Sequence, residues 1–150
     1  MNQVDEQMAE AADFFAGKLV ADNDVIAADE LDRPRLDFSL ESLKVVDAWL
    51  ARLHEYGVDP DTEDGAQTII CAGAYVGEVI RRNAKQHHHW QSYEDYMLNK
   101  PENTRNAIPF TFGTQFILAK DSGMTLPINK VCRWLAEGPE HNLHFYASAR

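Results

Sequence analysis

Cysteine is scarce in this chain. The two present, Cys71 and Cys132, are far apart and neither belongs to a Cys-x-x-Cys pair. They support no disulfide framework, and their apolar helical surroundings suit a reducing compartment. Long apolar runs are missing too, and none approaches the ~20 residues that span a bilayer. The opening stretch MNQVDEQMAEAADFF has no basic region and no apolar centre, so the sequence predicts no secretory signal and a cytoplasmic location. No Gly-x-Gly-x-x-Gly, P-loop, Gly-x-Ser-x-Gly or His-Glu-x-x-His motif occurs, and no cofactor is expected. Positive charge is short: 14 Lys and Arg face 24 Asp and Glu, a net of −10. Nucleic acids and anionic membranes are held mainly by clustered Lys and Arg, so neither is an expected partner.

What remains is globular. The 150 residues are 45% apolar and 25% charged, enough for one domain, 1–150, with its own core. Met8, Ala12, Phe15 and Leu19, widened by Phe14, predict a helix to about Asp22. ADNDVIAADELDRPRLDF lacks periodicity and contains Pro34, which reads as an acidic surface linker. The first 36 residues are therefore helix plus linker. Ser39 predicts the N-cap of a second helix, with Leu43, Val46, Leu50 and Leu53 as its seam and Gly57 as its stop. A third helix starts near Asp61 or Thr62, shows Ile69, Gly73, Val76 and Ile80 on one face, and ends at Arg81, Arg82 and Asn83. The short connection between the two predicts an αα-hairpin.

HHHWQSYEDYML then reads as a strand and NKPENTRNAIP as turns. TFGTQFILAK is the best strand, followed by a hairpin turn at Lys120-Asp121-Ser122-Gly123 and a returning MTLPI. Asn129 is expected to cap a helix through Val131, Trp134 and Leu135, and Pro139 to open a last short one. N-terminal helices, a small antiparallel sheet and short C-terminal helices predict an α+β fold.

Charge is unevenly distributed. Residues 1–64 hold 17 acidic and 5 basic side chains, whereas residues 65–150 hold 7 and 9. A one-signed face speeds encounter with an oppositely charged partner. The plainer alternative is a surface that only keeps the protein soluble.

The order of several short pieces carries a resemblance. Asp37-Phe38-Ser39, Ser42-Leu43 and Asp47 precede Gly73-Ala74-Tyr75-Val76-Gly77-Glu78-Val79-Ile80. Trp90 follows, then Pro127, Val131, Glu137-Gly138 and Phe145-Tyr146. From Asp37 to Tyr146 this resembles a group of small bacterial domains of unknown function, the DUF3806 type. Their pattern is a Gly-Ala-Tyr-x-Gly-Glu helix, a Trp strand, a Pro-led helix and a terminal aromatic pair. The chain departs where a Gly pair usually precedes the Trp, here His87-His88-His89, and where a basic residue often precedes the late Gly, here Ala136-Glu137. The resemblance implies a family-like core over 37–146 and brings no established activity.

Three functions follow as expectations. The first is a non-catalytic binding or inhibitory module, immunity-like, whose acidic face holds a basic protein such as a toxin, through Asp22, Asp24, Asp29, Glu30 and Asp32. The second is a metal-binding module or metal-assisted hydrolase using His87 and His89, which share a strand face, and perhaps Glu78. The third is a self-associating domain with the Gly73–Gly77 face as a homodimer seam. Glu78 is also a possible polar site with Arg82. A desolvated carboxyl there would have the raised pKa of a general acid, while an ion pair with Arg81 or Arg82 is the simpler reading. Cys71 and Cys132 read as packed thiols.

Overall fold

A computed structural model describes residues 2–150. Helix α1 spans Gln3–Phe15 and opens with a capping box between Asn2 and Asp5. It buries Met8, Ala12 and Phe15 and stops at Gly17, whose φ of +82° turns the chain away. Leu19 therefore leaves the predicted stripe and is exposed.

The acidic linker is anchored more deeply than expected. Val25, Leu31 and Leu36 are buried in the main core. Trp49 Nε1 donates to the carbonyls of Ile26 and Ala27, and Thr68 Oγ1 accepts from Ile26 N. Single helical turns at Ala28–Glu30 and Arg33–Arg35 carry the chain between these anchors.

Ser39 caps a one-turn prelude, and helix α2 follows over Leu43–Tyr56, ending at Gly57. Thr62 caps α3, Glu63–Asn83. An unbroken run from Cys71 to Ile80 is buried, so α3 is a central helix and not a half-exposed one. It packs chiefly on α1 and on the helix over Pro127–Glu137, while α2 packs on that helix and on the one over Leu143–Ser148. The closest helix pair is thus α1–α3, in place of the expected α2–α3 hairpin.

The sheet is antiparallel, in the order β1 (His89–Ser92), β2 (Phe116–Lys120), β3 (Gly123–Thr125). Trp90 faces Leu118, and Lys120 pairs with Gly123 across the two-residue turn Asp121-Ser122. The predicted first strand is shorter than expected. Ser92 accepts a hydrogen bond from Asp95 N and starts helix α4, Tyr93–Met97, because a serine hydroxyl favours an N-cap over strand continuation. The supposed turn region contains a further helix, α5, Glu102–Ala107. Pro127, not Asn129, opens α6 (Pro127–Glu137), and Asn142 caps α7 (Leu143–Ser148). The fold is α+β, and one buried cluster runs from Met8 to Ala147.

Candidate functional site

The pieces of the Gly-Ala-Tyr-Val-Gly-Glu segment meet around α3. A Cβ on Gly73 would lie 2.7 Å from Ile128 Cα, and one on Gly77 would overlap the six-membered ring of Trp90. The two glycines let α6 and the indole reach the helix backbone. That face is occupied within the chain, so it is not an open dimer seam.

Seated on Gly77, Trp90 donates its Nε1–H to Glu78 Oε2 at 3.0 Å. Glu78 is fully buried. Arg81 donates to both carboxylate oxygens at 2.8 and 2.9 Å, and Arg82 reaches Oε1 at 3.3 Å. Burial pushes the Glu78 carboxyl up, but the Arg81 hydrogen bond, the Trp90 indole and the charges of both arginines outweigh it and hold it below the usual range. Glu78 is therefore an ionised structural anchor, the opposite of a proton donor at neutral pH. The Arg82 guanidinium also lies 3.8 Å from the Phe38 ring centroid.

The network continues on both sides. Trp90 N donates to the buried Asp5 carboxylate at 2.7 Å, and Asn2 Nδ2 donates to Trp90 O at 3.2 Å. The start of α1 thereby closes the edge of β1. Tyr75 Oη accepts from Phe38 N and shares a hydrogen bond with Ser42 Oγ. This secures Phe38 in a left-handed conformation, φ +64°. Asp47 accepts from Trp134 Nε1, Leu143 N and His144 N.

The five acidic candidates divide. Asp24 holds Arg33 through two hydrogen bonds of 2.6 and 2.7 Å, which places its carboxyl below the ordinary range despite some burial. Glu30 pairs with Arg52 at 3.0 Å and accepts from Tyr56 Oη, and Asp32 is 3.9 Å from Arg35. Asp22 and Asp29 have no cationic partner within 4.0 Å among the described residues. Of the 17 carboxylates in residues 1–64, 12 lack such a partner. Arg33 and Arg35 of the linker, with Lys44 and Arg52 of α2, thus neutralise part of the acidic surface and leave most of it.

An apolar hollow of about 350 Å³ lies where α1, the 19–21 loop and α3 meet. Phe14, Leu19 and Val20 line it, with Glu10 inside its rim. Val20 is 99% exposed and Leu19 42%. Asp22 follows the rim residue Ala21 directly. The sequence reading missed this hollow because it placed Leu19 on the buried helical stripe.

His87 and His89 do share a face: their rings stack at 6.2 Å. No third ligand joins them among the described residues. His88 between them is buried, with Nδ1 2.9 Å from Gln86 O, and burial lowers its pKa. The group with metal-ligand spacing is elsewhere, at Glu137, Glu140 and His141. There Arg133 and His141 hold Glu137, pulling its carboxyl down to about 2, and Lys130 Nζ sits 3.1 Å from His141 Nδ1. Protein cations and the imidazole hydrogen bonds already fill that cluster. Burial raises both Cys71 and Cys132 to about 11, so neither is a ready thiolate.

No family model, curated protein or solved structure matches the chain.

Proposed function

We propose that this protein is a non-catalytic binding or inhibitory module whose contact surface is the carboxylate-rimmed apolar hollow at Phe14, Leu19 and Val20. The observation that carries this reading is the solvent-facing Val20 beside carboxylates with no internal cation, Glu10 and Asp22. Apolar area supplies attraction and the surrounding negative field selects a basic partner. A basic protein such as a toxin has that chemistry, which makes the module immunity-like. The contact residues shift towards the linker's start: Asp22 stays, Asp24 and Glu30 are taken up by Arg33 and Arg52, and Asp29 and Asp32 lie further along the linker, away from the hollow's lining.

Affinity capture from the native lysate with the wild-type chain, Val20→Asp and Asp22→Asn tests this. Wild type is expected to retain a basic protein at low salt and release it at high salt, and Val20→Asp to retain none. Capture that ignores both salt and Val20→Asp overturns the proposal.

A further inference from the structure

Among the described residues, eight of the 14 Lys and Arg side chains lie within 4.0 Å of one of the chain's own carboxylates. The other six are Lys18, Lys85, Lys100, Lys120, Lys130 and Arg150. Lys18 and Lys100 lie over the rings of Phe38 and Tyr96. The remaining four line two hollows that share Arg150. The larger, about 460 Å³, takes Lys85 and Lys120 beside the ends of α3 and α7. The smaller, about 310 Å³, takes Lys130, with Arg133 next to it. No Asp or Glu side chain lines either one.

Neighbouring like charges repel, and a bound negative group offsets that local cost. Their mutual cost is visible at Lys130. Burial first, then the charges of Arg133 and Arg150, push its ammonium below the ordinary lysine range, against the opposing charges of Asp47 and Glu137. Lys130 and Arg150 both lie over the Tyr146 ring, at 5.3 and 4.4 Å. That ring is itself buried and tied to Thr125 by a hydrogen bond, so a fixed element positions both cations.

We propose that the two hollows form one site for a small polyanion. One negative group sits between Lys85 and Lys120, the other against Lys130, and Arg150 serves both; Arg133 at the edge of the smaller hollow stays with Glu137. Leu40, Ile80 and Ala147 in the larger hollow offer apolar contact to the ligand's framework, and Asn83 a polar one. The volumes suit a metabolite. A nucleic-acid strand would run past the hollows onto a net negative surface. Phosphate groups and clustered carboxylates share the required chemistry.

Pyrophosphate and citrate, titrated separately into the full chain at low ionic strength, distinguish these sources. Calorimetry and amide chemical shifts are the readouts, with sodium chloride as the ionic-strength control. At least one anion is expected to bind, with shifts centred on residues 83–88, 120 and 146–150. Affinity should fall roughly tenfold or more in the Lys85→Gln/Lys120→Gln double variant and stay within about twofold in Lys100→Gln. Lys85→Gln alone, at an exposed position, gives the same direction if the double variant folds poorly. Binding to pyrophosphate alone identifies a phosphate ligand, and binding to citrate a carboxylate one. The proposal is overturned if neither anion binds above the chloride control, or if Lys100→Gln weakens binding as much as the hollow variants do.

Discussion

Glu78 and Asp22 are both carboxylates in an acidic chain, yet they occupy opposite surroundings. Glu78 is sealed among Trp90, Arg81 and Arg82, with both oxygens engaged. Asp22 is exposed, next in the chain to Ala21 at the edge of an apolar hollow, with no cation within 4.0 Å among the described residues. The difference shows that burial and charge pairing, not residue type, separate carboxylates that build the fold from those left facing solvent, which the proposed contact surface would use. It also fixes which readout each should move: stability for the first, association for the second.

The largest expected effect is at Glu78. Glu78→Ala leaves Arg81 unpaired and Trp90 Nε1 without an acceptor, and should cost about 3 kcal/mol. The figure is at the low end for a broken buried pair because Arg81 and Arg82 still reach solvent, with side chains 21% and 36% exposed. Urea denaturation measures it. Linkage sharpens the test. The folded Glu78 carboxyl lies below its ordinary 4.5, so the unfolded chain takes up more protons as pH falls. Its contribution is complete above about pH 4.5 and is lost on acidification through the lower folded value. Glu78→Gln should therefore show a shallower loss of stability in acid than wild type. An unchanged slope would mean the carboxylate is not the anchor described.

Next comes Gly77→Ala, which drives a methyl into the Trp90 ring. It should cost about 1–3 kcal/mol as overpacking. The indole cannot retreat without leaving Glu78, so the loss should be smaller when added to Glu78→Ala than alone, as double-mutant cycles on contacting residues show. Tyr75→Phe is smaller. It strands the amide of Phe38, for about 1–2 kcal/mol, and its effect should appear as faster hydrogen exchange at Phe38.

These residues also mark how far the sequence could be read. Helices α2 and α3 were legible because Ser39, which caps the turn leading into α2, the stop at Gly57, the cap Thr62 and the apolar spacing agree. Glu78–Arg82 was legible as a spacing. Its third partner, Trp90, was not, because that contact depends on β1 docking across Gly77. Phe38, Ser42, Tyr75, Gly77, Glu78 and Trp90 are spread over 53 positions, and the hydrogen bonds and packing that join them arise only in the folded chain. Two readings failed for local reasons. Gly17 ended α1 before Leu19, a stop that periodicity alone overlooked, and Ser92 turned an apparent strand into α4. The acidic linker was seen as charge, while its anchors Val25, Leu31 and Leu36 carry no regular period.

The smallest stability effects belong to the exposed side of the comparison. Val20 contributes nothing to the core, and Asp22 has no partner to lose. Val20→Asp and Asp22→Asn should each change the unfolding free energy read from urea denaturation by less than about 0.5 kcal/mol. Asp22→Asn removes one charge near the hollow, so it should slow association with a basic protein and flatten its salt dependence while dissociation changes little. Val20→Asp places a charge in the apolar contact and should speed dissociation. Surface plasmon resonance against the captured protein separates the two. If Val20→Asp lowered stability by as much as Gly77→Ala, Val20 would be part of the packed core, and the division between building and contacting regions would fail.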